Sequence, residues 1–330
     1  MMSEIRLSKK QILYRLNTIK IKPSGLQGRK YGVSVKYYSE NEETPSKRID
    51  YTVAANLNVE YGNGSLSINK EDIFYNEHEP NKISEIISSA LSATIYPVEV
   101  DLNEKGTGTG EIINHDKMLE RWKIQKSKIA DKYSSKELDI FIDNFENKLQ
   151  NKAVIEQSLH NDWFWNLFFH PKFIDYGDTR KVERDLYLSV IPYRGPLKFS
   201  GIQTIDKFPT DYHSFVTEFE SEELLAPRYF YPKGHHDDGT LYMTLKVIFD
   251  HDLYHHFPMH TRAYFEVFSR DWSGKKVFVK KIHYTQYQLG SEEYKGKILD
   301  ESSPFITGGL VKVPPNKWGF DNFERIENDW

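Results

Sequence analysis

Residues 96–122, YPVEVDLNEKGTGTGEIINHDKMLERW, carry the reading on which the fold turns. Apolar and polar residues roughly alternate on both sides of Asn103-Glu104-Lys105-Gly106, the pattern of two short antiparallel strands joined by a turn. From Asn114 the period becomes helical. Met118, Leu119, Trp122 and Ile129 recur on one face, Asn114 stands at the N-cap position, and Asp116 lies where the helix dipole favours an anion. Ser134 with Glu137 forms the capping-box pattern of a second helix that carries Leu138, Phe141, Ile142, Phe145 and Leu149. A third helical segment, Ala153 to Phe169, carries Ile155, Leu159, Trp163, Phe164, Leu167 and Phe168. It is apolar around most of its circumference near its end, as a buried helix is. His170-Pro171 stops it, because proline lacks the amide hydrogen and disfavours helical geometry in the residue before it.

On either side of this helical middle the period is two. Upstream, YGVSVKYY, RIDYTVAANLNVEY, GSLSI and DIFYN alternate between residues 30 and 75, and Ile83, Ile86, Ile87, Ala90 and Leu91 then mark a helix beginning near Asn81. Downstream, DYGDTRKVERD reads as a connection. Six runs follow it: DLYLSVIPY, LKFSGIQTIDKF, HSFVTEFES, LYMTLKVIF, RAYFEVFS and KKVFVKKIHYTQYQL, with Asp271-Trp272-Ser273-Gly274 as the clearest hairpin turn. The fold expected is α+β: a curved, mostly antiparallel sheet in two halves with a helical segment between them. The domain reading is an N-terminal arm or short helix over 1–29, with Leu7 to Ile19 helical behind Ser8. A single α+β unit covers 30–290, strand-rich over 30–113, helical over 114–170 and strand-rich again over 185–289. A tail covers 291–330, rich in Gly, Pro and Ser and without sustained period.

The order strand, Asn-Glu-Lys-Gly turn, strand, then the Trp122-bearing helix and a strand-rich half resembles proteins common in the Bacteroidota. In those proteins a loop, a strand and a tryptophan-bearing helix divide two halves of a highly curved sheet. The resemblance covers residues 30–290 and implies a fold; it carries over no functional residue. By analogy of fold and lineage it suggests an accessory role in a bacterial secretion or contractile injection system.

Composition narrows the function. The chain of 330 residues holds 44 basic and 48 acidic residues, well mixed, for a net charge of −4, which argues against nucleic acid as partner. No cysteine is present, so disulfides, thiolate metal sites and cysteine nucleophiles are excluded. The first 22 residues lack the uninterrupted apolar region of a signal peptide and no stretch approaches the ~20 apolar residues of a membrane helix, so a cytoplasmic protein without membrane insertion is expected.

The most conspicuous polar cluster is His235, His236, Asp237 and Asp238 with Asp250, His251, Asp252, His255, His256 and His260. Histidine and carboxylate together are metal ligands, and a metal-dependent hydrolase would use His251, His255 and His256 with Asp237 and Asp250. HDLYH departs from the zinc-protease pattern in having aspartate after the first histidine. The competing reading places these residues in two solvated loops flanking one strand, with diverging imidazoles. Gly106 to Gly110 reads as a hairpin turn, since the Gly-Lys-Ser/Thr ending of a phosphate loop is missing. The aromatic residues Trp163, Trp165 and Phe169 suit either a packed core or a partner groove. Trp318, Phe320 and Trp330 in the tail are suited to anchor on a groove of this chain or of a partner. The function expected is therefore non-enzymatic and without cofactor: a binding or accessory protein, chaperone or adaptor, that cradles an apolar part of a partner protein against the concave sheet.

Overall fold

The computed structural model describes residues 28–289, apart from 41, 61–62, 103–107, 173, 193, 208–209, 211–213, 232–238 and 253–256. Of the arm expected over 1–29, residues 1–27 lie outside the described residues, while Gly28 and Arg29 already belong to the first strand, because they pair with Asn56 and Ala55; the tail and the Asn103 to Gly106 turn also lie outside the described residues.

The chain folds as α+β, with a mostly antiparallel sheet in two strand groups and a helical segment between them. The first group is β1 (Gly28–Tyr38), β2 (Lys47–Glu60), β3 (Asn63–Tyr75), β4 (Val98–Leu102) and β5 (Gly108–Ile112). The second is β6 (Lys181–Leu188), β7 (Leu197–Ile205), β8 (Ser214–Ser221), the two-residue β9 (Leu224–Leu225), β10 (Tyr242–Asp252), β11 (Pro258–Arg270) and β12 (Lys276–Gln288). In space the order is β5-β4-β3-β2-β1-β12-β11-β10-β8-β7-β6, with β9 on the side of β10. The two groups thus join edge to edge through β1 and β12, where Val33 faces Gln286 and Val35 faces Tyr284. Gly32 permits the close approach at this seam, because a Cβ there would stand 2.5 Å from the Tyr287 ring.

Alternation explains which side is covered. Directly opposed residues share a face, so Tyr31, Val33, Val53, Ala55, Ile68, Val100, Ala263, Phe265, Val247, Phe219 and Phe199 all lie on one side of the sheet, and all are buried. On that side pack the helices that the apolar stripes call for. The helices are α1 (Ile83–Ile95), α2 (His115–Ala130), α3 (Lys136–Leu149), α4 (Lys152–Leu159) and α5 (Trp163–Phe169).

Several local expectations shift by a residue or change role. Asn114 does precede α2, but its side chain makes no cap. Its Oδ1 accepts from the Glu99 N–H at 3.0 Å and its Nδ2 donates to the Pro97 carbonyl at 2.9 Å, tying the hairpin to the helix. Arg121, about two turns on, donates to the carbonyls of Thr94, Ile95 and Pro97, covering the otherwise orphaned end of α1. The cap of α3 is Ser135, not Ser134, its Oγ accepting from Leu138 N–H at 3.1 Å. The expected single helix from Ala153 to Phe169 is two, because Asp162 turns the chain and caps a new helix, accepting from the N–H groups of Phe164 and Trp165 at 2.8 and 3.3 Å. GSLSI and DIFYN form one strand, β3, across an irregular register opposite Asp50 to Thr52. Residues 181–185, expected in a connection, open β6. As a sheet edge, β6 tolerates Lys181, Glu183 and Asp185 on its outer side.

The break at Asp162 aims α5 at the seam. Phe164 and Phe168 pack on Tyr31 of β1 with ring centres 6.2 and 6.0 Å apart, and Trp163 lies 5.9 Å from Tyr284 of β12. Its far end is closed by the buried Lys172, whose Nζ donates to the carbonyls of Leu167 and Phe168 at 2.8 and 2.6 Å. The neighbouring His170 stacks on Phe249 of β10 and donates Nε2–H to Gln203 Oε1 at 2.8 Å. This tautomer follows from Gln203 spending its amide hydrogens on Tyr176 Oη and the Pro171 carbonyl. The apolar face of the sheet at this seam is therefore filled by the chain's own helices.

Candidate functional site

The end of the seam is open. Lys70 on β3 pairs with the Asp162 carboxylate at 3.2 Å and stands 3.7 Å above the Tyr51 ring, which fixes the start of α5. Tyr37, Tyr51, Tyr96 and Tyr284 gather near this pair, and burial first, then the Asp162 charge, pushes their phenols above the ordinary range. Trp163 then donates its indole N–H to the Ser189 carbonyl at 2.7 Å, drawing in the segment that follows β6. Between that segment, the end of β1, the start of β2 and the start of β12 lies a cleft of about 770 Å³. Its walls are Tyr37, Tyr38, Trp163, Val190, Ile191, Pro192, Val279 and Ile282, with Ser39, Ser46, Asn161 and Ser189 among them.

Three cations reach this cleft, Lys47, Arg194 and Lys280, and no carboxylate is among its described lining residues. Lys47 Nζ stands 5.6 Å from the Tyr37 ring. Lys280 Nζ lies 5.5 and 5.7 Å from the rings of Tyr229 and Phe230, and partial burial holds its ammonium below the usual lysine range. The serine hydroxyls are committed to structure. Ser39 donates to Ser46, Ser46 to the Tyr37 carbonyl, and Ser189 to the Arg194 carbonyl, so none is hydrogen-bonded to a base that would make it a nucleophile. Such walls attract a negative group carried next to an aromatic or aliphatic one.

Of the aromatic residues singled out in the sequence, Trp163 lines the cleft. Trp165 is 3% exposed and packs on Phe169 at 4.9 Å, away from it, while Phe169 is half-buried against Trp165 and Phe168. Trp318, Phe320 and Trp330 lie outside the described residues. Sequence reasoning does not reach Tyr37, Lys47, Arg194 and Lys280, since only the fold brings the end of β1, the start of β2, the segment after β6 and the start of β12 together. One signal was there: Lys280-Lys281 breaks the alternation of β12, so one of the two has to face inward, and Lys280 shares its side with Ile282 and Tyr284.

The histidine cluster reads differently in three dimensions. The solvated-loop reading of Asp250 and His251 is overturned, because β10 runs on through Asp252, paired on both flanks: His251 faces Phe215 of β8, and Asp250 faces His260 of β11. A ladder on each side outweighs the polar composition. His251 is 1% exposed, 5.5 Å from the Phe215 ring, and its neighbour Asp250, also buried, points to the opposite face as strand alternation requires. His260 is likewise buried, and burial together with Arg262 pushes its imidazole down to about 3. Asp237, Asp238, His255 and His256 lie outside the described residues. Among the described residues no group of three or more His, Asp or Glu is placed to hold a metal ion. Among them also, no helix is long and apolar enough to cross a membrane.

No protein-family model matches the sequence, and no curated protein matches it. Among solved structures, the dehydratase domain from the CurJ module of curacin polyketide synthase aligns over 79% of this chain and 75% of its own, at 7% identity and a TM-score of 0.09, a value at which neither fold nor activity transfers.

Proposed function

We propose that this is a non-enzymatic, cytoplasmic adaptor or chaperone whose seam cleft holds an acidic, aromatic-bearing segment of a partner protein. The observation that carries the reading is the lining itself: three cations, three large aromatic side chains, no described carboxylate, and serine hydroxyls already engaged. The resemblance to the curved-sheet Bacteroidota proteins adds an accessory place in a secretion or contractile injection system to the proposal, by analogy only. A fluorescein-labelled peptide Glu-Trp-Glu-Phe-Glu-Glu tests it by fluorescence anisotropy. Binding is expected with Kd on the order of 10–100 μM, the range of a small, partly polar interface. Raising salt from about 0.15 M to about 0.5 M weakens it, because exposed charges are then screened. Reversal of the two exposed cations, Lys47→Glu with Arg194→Glu, weakens it about ten-fold or more. Equal binding by the counterpart peptide with lysine for glutamate would overturn the reading.

A further inference from the structure

The cleft has a candidate occupant in the chain itself. Residues 318–330, WGFDNFERIENDW, carry four carboxylates (Asp321, Glu324, Glu327, Asp329) against one arginine, a net charge of −3, interleaved with Trp318, Phe320, Phe323 and Trp330. That is the complement of a lining with three cations and no described carboxylate. The charge asymmetry is local, because the whole chain is only −4. We infer that residues 318–330 occupy the seam cleft of their own chain and compete there with the partner segment. The inference rests on the cleft having the binding character proposed above.

Reach permits it. β12 ends beside β1, where Leu289 N–H donates to the Lys30 carbonyl at 2.8 Å, and the cleft lies at the other end of the same strand, at Lys280, about 30 Å back. The residues between Leu289 and Trp318 span up to about 95 Å when extended, three times the distance needed. Tethering at such a length holds the segment at an effective concentration on the order of millimolar. That fills a site whose intrinsic Kd is tens of micromolar, without any unusual contact. Partner binding is then a displacement. The cleft is filled until a segment of higher affinity or local concentration arrives, which keeps its half-buried tyrosines and its cations from unspecific contacts.

The absence of cysteine makes the test clean. In the full chain, Ser46→Cys on the cleft rim is combined with Asn328→Cys and treated with a short bismaleimide. A control replaces Ser65 instead of Ser46; Ser65 stands opposite Asn58 on β2, about 35 Å along that strand from Lys47. The expected result is a fast crosslink within one chain for the first pair, at least ten-fold faster than for the control and slowed by Arg194→Glu. Equal rates for the two pairs would overturn the inference, and a concentration-dependent link between chains would overturn it in favour of a second copy. A parallel measurement separates this inference from the reading beneath it. The labelled glutamate peptide should bind several-fold tighter to a full chain carrying Trp318→Ala, Phe320→Ala and Trp330→Ala than to the wild type. Equal binding to both refutes the tail as occupant and leaves the cleft as a binding site. Binding to neither refutes the cleft.

Discussion

At Trp122 the indole is 2% exposed and packs on Phe145 with ring centres 4.8 Å apart. Trp122→Ala should cost about 3–5 kcal/mol, the usual range for truncating a core aromatic. Its indole N–H has no hydrogen-bond partner among the described residues, so Trp122→Phe should cost clearly less, and a denaturant series on the two variants checks the order. Three histidines give the protein an acid-side weakness. Burial above all, then nearby cations, depresses His170 and His260 to about 3 and His283 to about 4. In the unfolded chain each takes up a proton near pH 6.5, while the folded protein resists until pH 3–4. The unfolded state therefore binds more protons across that window, and stability falls as pH drops from about 6.5 toward 4, at up to about 1.4 kcal/mol per pH unit for each fully buried imidazole. His283 is partly open to solvent and contributes less. Melting temperatures across this range should decline on the acid side, and His170→Gln should flatten the decline; a flat profile in the wild type would contradict these burials.

Among the elements, α5 depends most on one residue. Asp162 caps it through two backbone N–H groups and pairs with Lys70, so Asp162→Ala removes a cap and leaves a mostly buried ammonium without its partner. The expected cost is about 2 kcal/mol, roughly half of it from the cap, and Asp162→Asn should recover that half because asparagine also caps well. Urea midpoints at unchanged m-value measure both. The same residue shows where sequence reading succeeds and fails. The apolar runs of α4 and α5 were legible, and so was the stop at His170-Pro171. The turn at Asn161-Asp162 is hidden by an apolar period that continues across it, although Asp before a new run is itself a cap signal. In β10 the error ran the other way. Asp250 and His251 look like loop residues one by one, and only pairing with both β8 and β11 makes them strand. That fact lies in residues 30 or more positions away for one flank and in the next hairpin for the other.

For the molecule as a whole, the two strand groups and the helical middle follow from period alone. The join between β1 and β12 does not, since nothing in either strand names its partner across some 250 residues. The cleft inherits that blindness: it exists only where the join ends, and it is lined by segments that have no neighbourhood in sequence. Hydrogen exchange followed by mass spectrometry, with the glutamate peptide at saturation, puts the cleft to its most direct test. A ligand held there should slow exchange together in the four separated segments 37–47, 161–163, 189–194 and 279–282, and leave the outer strands β4 to β7 as they were. Slowed exchange in only one of these segments, or chiefly on the far strands, would show that the peptide binds elsewhere.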